Sequence, residues 1–329
     1  MKKNSTLKGK SILTVKQLTP EEIEYLIHIA EQLKNKKKRG LRGNLLKRKN
    51  IVMIFEKSST RTRCAFTVAA ADEGAHTDYL NLSDIHFVKK ESLPDSARVL
   101  GRMFDGIAFR GYRHDTAEQL AYYSGIPVWN ALTDMAHPTQ TFADLLTIKE
   151  HFGLLKGLTV VYMGDGRNNV ANSLTIGCVK MGMHFVNCTP PELLPDRDLL
   201  EEAEGFAAET GGSVRILHEP REAVQGANVI YTDVWVSMGE EVKFENRRKL
   251  LQPYQVTMDL MRLTGRTDTD QVIFLHCLPA FHDNLTDVTR EIGAMEVTDE
   301  VFESSFSRVF DQAENRMHTI KAVMVATLT

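Results

Sequence analysis

An all-apolar run, Ile-Val-Met-Ile at 51–54, leads directly into the polar stretch F-E-K-S-S-T-R-T-R at 55–63. A short β-branched run without polar interruption is typical of a strand buried on both faces, as in a parallel sheet covered by helices. Residues 61–73 then place apolar side chains at helical spacing, which predicts a helix. The order strand, polar turn, helix is the repeating unit of α/β folds.

The polar turn predicts an anion site. Ser58, Ser59 and Thr60 fall where the first backbone N–H groups of the helix have no partner within it. Together with Arg61 and Arg63 they offer hydroxyl, amide and guanidinium donors. Any one of these hydroxyls alone is more often only a helix cap. A nucleotide P-loop is not predicted, because its glycines and its Gly-Lys-Ser/Thr ending are absent.

Composition excludes several classes of protein. A length of 329 residues favours two domains, and a net charge of -3 argues against a nucleic-acid-binding protein. We interpret the short basic stretches at 34–39 and 47–49 as solvated surface. The four cysteines show no paired spacing, so neither a disulfide framework nor a metal site is predicted. No membrane span or secretory signal is predicted at the start of the chain, and we expect a cytoplasmic protein.

Strands and helices alternate along the whole chain. The predicted strands lie at 51–54, 76–80, 106–110, 127–130, 158–163, 184–188, 214–217, 227–232 and 272–275. We therefore expect an α/β fold of two doubly wound parallel-sheet domains joined by interdomain helices. The boundaries predicted are 1–149 and 150–311, with a C-terminal helix at 312–329 packing back on the first domain.

Two stretches of the second half leave alternatives open. Gly164-Asp165-Gly166 follows a strand as a dinucleotide fingerprint would, but Asn169 takes the place of the third glycine, so no nicotinamide cofactor is predicted. The loop D-V-W-V-S-M-G at 233–239 is unusually apolar, which fits either a flap that closes over a ligand or a loop packed on the core.

The motif H-C-L-P at 276–279 opens the turn after a predicted strand. A cysteine at that position is expected to be partly exposed, which makes it a candidate reactive residue.

Six motifs spread over nearly the whole chain resemble those of the ornithine carbamoyltransferases. Two of them, S-T-R-T and H-P-T-Q, are shared with the aspartate enzymes of the same superfamily, whereas S-M-G and H-C-L-P belong to the side that binds the amine. The motifs are S-T-R-T-R at 59–63, R-G-Y at 110–112, H-P-T-Q at 137–140, D-V-W-V-S-M-G at 233–239, H-C-L-P-A at 276–280 and E-N-R-M-H at 314–318.

The resemblance implies a carbamoyl-phosphate-binding first domain and an ornithine-binding second domain. It also implies a homotrimer, or a multiple of trimers, that needs no cofactor. The residues implied for carbamoyl phosphate are Ser59, Thr60, Arg61, Thr62, His86, Arg110, His137, Gln140, Cys277, Leu278 and Arg316. Those implied for ornithine are Asn169, Asp233, Ser237 and Met238, and the catalytic groups implied are Cys277, Arg110, His137 and Asp233.

Two other functions compete with this interpretation. A putrescine carbamoyltransferase would not need groups for the α-carboxylate and α-amine of ornithine, and S-M-G at 237–239 argues against it. A catalytically silent phosphate-binding regulator would keep the fold and lose reactive groups, yet every implied position is occupied. The sequence leaves open whether the reaction serves arginine synthesis or arginine breakdown, because both use the same site chemistry.

Arg61 and Arg63 provide the first test. They are two residues apart, so on a helix they point to nearly opposite sides, and we expect Arg61 to face the phosphate. Arg61→Ala should weaken carbamoyl phosphate binding about 10- to 100-fold, the effect of losing one hydrogen bond to a charged group. Arg63→Ala should change it far less. Calorimetric titration of both folded variants measures this, and equal losses of affinity would refute it.

Overall fold

The chain divides into two units. Unit 1 comprises Met1–Leu146 and Glu314–Thr329, and unit 2 comprises Thr147–Ala313. The chain passes between them inside two helices, Pro138–Phe152 and Val309–Leu328. The computed structural model describes residues 7–81, 83–84, 91–236 and 244–329.

Unit 1 is built on a parallel sheet. In its described residues the strands are β1 (Asn50–Phe55), β2 (His76–Asn81), β3 (Gly106–Arg110) and β4 (Val128–Leu132). They pair in the order β2-β1-β3-β4, all parallel. The helices that begin in this unit are α1 (Pro20–Lys38), α2 (Thr60–Asp72), α3 (Leu93–Met103), α4 (His114–Ser124) and α5 (Pro138–Phe152).

Unit 2 is built on a second parallel sheet. Over the part that the structure describes, β5 (Thr159–Met163), β6 (His184–Cys188), β7 (Ser213–Leu217), β8 (Val229–Thr232) and β9 (Ile273–His276) pair in the order β7-β6-β5-β8-β9. The helices that begin in this unit are α6 (Asn169–Lys180), α7 (Arg197–Thr210), α8 (Pro220–Ala223), α9 (Phe244–Leu251), α10 (Met258–Leu263), α11 (Thr289–Ile292), α12 (Asp299–Phe302) and α13 (Val309–Leu328), and most of α13 belongs to unit 1. Short 3-10 helices lie at Val15–Gln17, Pro191–Leu193, Gln252–Tyr254 and Thr267–Thr269.

Burial explains why these runs form central strands. Every residue of β1 after Asn50 is buried, and so is every residue of β3. Because successive side chains on a strand point to opposite faces, both faces of these strands are covered. This confirms the predicted fold class. The strand order reverses between β1 and β3 in unit 1, and between β5 and β8 in unit 2. In open α/β sheets ligands bind at the carboxyl ends of strands that flank such a reversal.

Two sequence interpretations are wrong in detail. The apolar spacing of residues 142–152 predicts a helix over that range. The helix instead begins at Pro138, because proline suits the first helical position and the His137 carbonyl accepts from the backbone N–H of Gln140 at 3.0 Å. Lys34, assigned to solvated surface, is buried and donates to Asn315 Oδ1 at 2.7 Å. Its long apolar stem allows burial once the ammonium has a polar partner.

Two helical glycines make a matched test of packing. A Cβ at Gly101 in α3 would lie 1.9 Å from the carbonyl oxygen of Ser124, the last residue of α4, whereas a Cβ at Gly205 in α7 would meet nothing within 4 Å. Gly101→Ala should lower stability by about 1 to 3 kcal/mol through overpacking. Gly205→Ala should raise it by roughly 0.5 to 1 kcal/mol through helix propensity. Calorimetric melting of both variants decides, and a Gly101→Ala protein as stable as the parent contradicts the packing.

Candidate functional site

Side chains of the turn after β1 form a hydrogen-bonded group with the C-terminal helix of the chain. Ser59 is the N-cap of α2, and its hydroxyl donates to Thr62 Oγ1 at 2.9 Å. Arg316, on α13, donates from Nη2 to the same oxygen at 2.7 Å. A hydroxyl has two lone pairs and one proton. With both lone pairs of Thr62 accepting, its hydroxyl is left to act as a donor toward a ligand.

His137 joins this group as a neutral imidazole. Its Nε2 lies 2.9 Å from Nη2 of Arg316. Because a guanidinium can only donate, His137 Nε2 accepts and the ring proton sits on Nδ1. Burial holds the pKa of His137 well below its ordinary value, and the charges of Arg316 and Arg110 lower it further. The ring is therefore an uncharged donor at neutral pH, and its Nδ1 lies 3.4 Å from Thr139 Oγ1.

Arg110 and Gln140 complete the buried polar set of unit 1. Arg110 ends β3, pairs in register with Phe55 of β1 and is buried. Gln140 is also buried, and its Nε2 donates to Asp144 Oδ1 at 2.8 Å. That bond fixes the orientation of the amide. Its oxygen, Oε1, has no hydrogen-bond partner among the residues that the structure describes. A buried amide oxygen placed in this way can accept from the N–H of a ligand.

The two arginines of the polar turn differ in surroundings. Arg61 lies in the first turn of α2 and is exposed. The guanidinium of Arg63 lies over the ring of Tyr79 on β2, 3.9 Å from its centre. This cation–π contact gives Arg63 a structural partner within unit 1.

In unit 2, Asp233 and Cys277 follow neighbouring strands and meet through a hydrogen bond. Asp233 comes directly after β8 and Cys277 directly after β9. The Cys277 thiol donates to Asp233 Oδ1 at 3.0 Å, and the backbone N–H of Val234 donates to the same oxygen at 2.8 Å. Burial raises the pKa of Asp233, while the thiol and amide donors act in the opposite direction. A buried carboxylate of this kind suits a cationic ligand.

A second buried pair holds the turn that carries Cys277. The Leu278 backbone N–H donates to His276 Nδ1 at 2.9 Å, so the proton of this ring is on Nε2. Nε2 donates to Glu296 Oε1 at 3.1 Å, and the Phe281 backbone N–H donates to that oxygen at 2.7 Å. Both His276 and Glu296 are fully buried. Their bonds fix the backbone on both sides of Cys277.

Of the remaining predicted site residues, the structure describes Thr60, Asn169 and Leu278. Asn169 is the first residue of α6, which begins five residues after Gly164. His86, Ser237 and Met238 lie outside the described residues. Trp235 is buried in the apolar core of unit 2, which favours the core-packed alternative for that part of the loop. Leu278 has φ +60° and precedes a cis proline.

Four residues with a place in these groups were missed from the sequence. They are Asp144, Glu296, Asn168 and Tyr162. Asn168 Nδ2 donates both to Asp233 Oδ2 and to Tyr162 OH. Asn168 carried a usable signal, because asparagine before an apolar helical pattern predicts an N-cap. Glu296 carried none, since a glutamate twenty positions beyond a motif is indistinguishable from a surface residue.

Asp233, His276 and Cys277 each offer a possible metal-ligand atom within 4.8 Å of the others. The Cys277 proton is held by Asp233, and both nitrogens of His276 bond to protein groups. A metal ion at this position would have to replace those bonds. Across the described ranges, each helix is too short or too polar to span a bilayer.

Comparison with known proteins decides the family. A model described as "Aspartate/ornithine carbamoyltransferase, carbamoyl-P binding domain" matches residues 10–150. A second, described as "Aspartate/ornithine carbamoyltransferase, Asp/Orn binding domain", matches residues 156–327. The chain belongs to this family.

Individual members of the aspartate/ornithine carbamoyltransferase family are similar to this chain over nearly their full length. The catabolic ornithine carbamoyltransferase of Bacillus licheniformis is 57% identical, covering 100% of this chain and 99% of that protein. The catabolic ornithine carbamoyltransferase of Streptococcus gordonii is 56% identical over 99% of this chain and 97% of its own. The solved ornithine carbamoyltransferase from Pyrococcus furiosus has a TM-score of 0.90 at 44% identity, with 98% of each chain covered. The family resemblance inferred from the motifs is thereby confirmed.

The Cys277 thiol provides a test of the unit 2 geometry. A neighbouring anion disfavours the thiolate, which is the form that reacts with iodoacetamide. Asp233→Asn should therefore speed alkylation of Cys277 at neutral pH by roughly tenfold. Peptide mapping by mass spectrometry measures the rate, with exposed Cys64 as an internal control that should not change. Equal Cys277 rates in parent and variant would mean that the thiol does not bond to Asp233.

Proposed function

We propose that the protein transfers the carbamoyl group of carbamoyl phosphate to the side-chain amine of L-ornithine, giving L-citrulline and phosphate. The observation that carries this proposal is the hydrogen-bonded group of Thr62, His137 and Arg316, which offers hydrogen-bond donors and a positive charge. The full-length similarity to proteins named ornithine carbamoyltransferase supports it.

Unit 1 would hold carbamoyl phosphate. Its phosphate dianion needs charge compensation when it leaves water, and Arg61, Arg110 and Arg316 are the forked donors proposed for it. Ser59 and Thr60 would add hydroxyl and helix N-terminal amide donors. The orphaned Oε1 of Gln140 suits the N–H of a carbamoyl group. Contributions from His86, Cys277 and Leu278 remain predictions.

Catalysis would come from donors aimed at the carbonyl oxygen. That oxygen gains negative charge as the amine attacks, so donors bind the transition state more tightly than the substrate. Thr62 qualifies because both lone pairs of its oxygen already accept. His137 qualifies as a neutral donor whose Nδ1–H would exchange its 3.4 Å contact with Thr139 Oγ1 for the substrate, and Arg110 adds a positive charge.

Unit 2 would hold ornithine and take its proton. An amine like that of lysine has a pKa near ~10.4, so about one molecule in a thousand is neutral at pH 7, a cost of roughly 4 to 5 kcal/mol. We propose that Asp233 pairs with the ammonium and that Cys277 takes the first proton while passing its own thiol proton to Asp233. Asn169, Ser237 and Met238 would hold the rest of ornithine.

The remaining steps then balance. The neutral amine forms a C–N bond to the carbonyl carbon, giving a tetrahedral intermediate. The C–O bond to phosphate breaks, phosphate leaves with the bonding electron pair, and it accepts the second amine proton. Asp233 then releases the first proton to solvent, which restores its carboxylate. Every step is reversible in principle, so the same residues would serve either synthesis or breakdown of arginine.

We further propose a cytoplasmic homotrimer, or a multiple of trimers. The family resemblance supports the trimer. All four cysteines are thiols, which fits a reducing compartment.

An assay with three amines tests the substrate assignment. Carbamoyl phosphate is offered with ornithine, putrescine or aspartate in parallel, and carbamoylated product and phosphate are both measured. Ornithine should be used in preference by a large factor, because a site built for polar substrate groups rejects analogues that lack them. Preferential turnover of putrescine or aspartate would overturn the assignment. Carbamoyl phosphate binding without any turnover would favour a silent regulator.

A further inference from the structure

Asn168 is fully engaged by three hydrogen bonds. It is the N-cap of α6, and its Oδ1 accepts from the Ala171 backbone N–H at 2.7 Å. Its Nδ2 donates to Tyr162 OH at 2.6 Å and to Asp233 Oδ2 at 3.1 Å. A side-chain amide has two N–H donors. Both therefore have protein acceptors, and the residue is buried.

The orientation of this amide is fixed from both ends. The helix cap needs the oxygen to face the Ala171 N–H, so the NH₂ group must face Asp233. Tyr162 is fully buried on β5, and its oxygen accepts the second N–H. β5 and β8 are neighbours in the sheet, with Met163 opposite Thr232. The cap of one helix is thus bonded to the carboxylate that ends the adjacent strand.

We propose that Asn168, oriented by Tyr162, is a positioning residue that holds the second carboxylate oxygen of Asp233 and keeps that carboxylate ionised for the amine substrate. This inference rests on the proposed function. Asn168 acts through Asp233 and does not itself contact the reacting atoms. By capping α6, it also fixes the backbone at Asn169.

Two opposing effects set the pKa of the buried Asp233 carboxylate. Asp233 Oδ1 accepts from Cys277 and Val234, and Oδ2 accepts from Asn168. Burial raises the pKa of Asp233, and donors to the ionised form lower it. The other titratable groups that act on Asp233 or on its partner Tyr162 are His276, Glu296 and Asp165. None of these three donates a hydrogen bond to Oδ2 in the part of the chain that the structure describes.

Removing the Asn168 donor should shift the pKa of Asp233 in a defined direction. With one donor fewer, the pKa of Asp233 rises, so the ionised form is lost at a higher pH as the solution is acidified. The variant should therefore lose activity relative to the parent most strongly on the acid side. A merely structural role would lower stability without a dependence on pH.

The experiment compares two variants that preserve the cap. Asn168→Ser keeps a capping oxygen and loses the donor, and Asn168→Asp keeps the cap while setting a second carboxylate against Asp233. For each, kcat/KM for ornithine is measured from pH 6 to 9 and divided by the parent value at the same pH. Because the substrate is the same, its ionisation cancels in this ratio. We expect the kcat/KM of each variant to be about 0.1 to 0.01 of the parent value. This ratio should decrease as the pH falls, and it should be lower for Asn168→Asp than for Asn168→Ser.

Two control variants separate positioning from stability. Tyr162→Phe removes only the acceptor that orients the amide, so its ratio should fall in the same direction but less. Asn228 is a buried asparagine whose Oδ1 accepts from Thr159 N at 3.0 Å at the start of β5. Asn228→Ser should lower Tm and leave the ratio independent of pH.

The outcomes are distinct. Three results would overturn the positioning role. The kcat/KM ratio of the Asn168 variants to the parent could be independent of pH, or it could be near one. Alternatively, both Asn168 variants could fail to fold while Asn228→Ser folds. A parent enzyme that makes no citrulline would overturn the proposed function and this inference with it. An active parent with pH-independent ratios would overturn the inference alone.

Discussion

A parallel strand covered on both faces leaves room for polar chemistry only where it ends, and the candidate site follows from this constraint. β1 and β3 are buried throughout after their first residues, and Ser59 and Arg110 come at their carboxyl ends. In unit 2, Asn168 and Asp233 follow β5 and β8. Each pair of strands flanks the point where strand order reverses. Two sheets with different strand orders thus deliver polar groups by the same rule.

Within that frame, hydrogen bonding decides which groups carry charge. His137 is neutral because a guanidinium occupies its acceptor nitrogen and burial penalises the imidazolium. His276 accepts a backbone N–H at Nδ1 and donates from Nε2 to Glu296. The two histidines therefore act as oriented dipoles, while Arg110 and Arg316 provide the positive charge in unit 1. An anionic ligand would meet fixed donors whose protonation does not change near neutral pH.

The sequence predicts the strands and helices well, but it predicts poorly which side chains bond to each other. The predicted bounds of β3 and β6 agree with the structure, because short apolar runs flanked by turn residues have few alternatives. Two helices begin three or four residues before their predicted starts, at Pro138 and at Val309. Lys34 shows the limit of reading charge from composition, because its burial depends on Asn315, 281 positions away.

The same limit applies to the site. Motifs identified Thr62, His137 and Arg316 separately, but nothing in the sequence states that one guanidinium nitrogen reaches both of the others across 254 and 179 positions. Glu296 had no local signal at all, although it holds the turn that carries Cys277. Such pairings depend on which side chains the fold brings together, and burial then makes them necessary, since an unpaired buried polar group costs about 1 to 3 kcal/mol. A residue like Asn168, which satisfies a helix end, a phenol and a carboxylate at once, is therefore constrained by three requirements, and only the first of them is visible in the sequence.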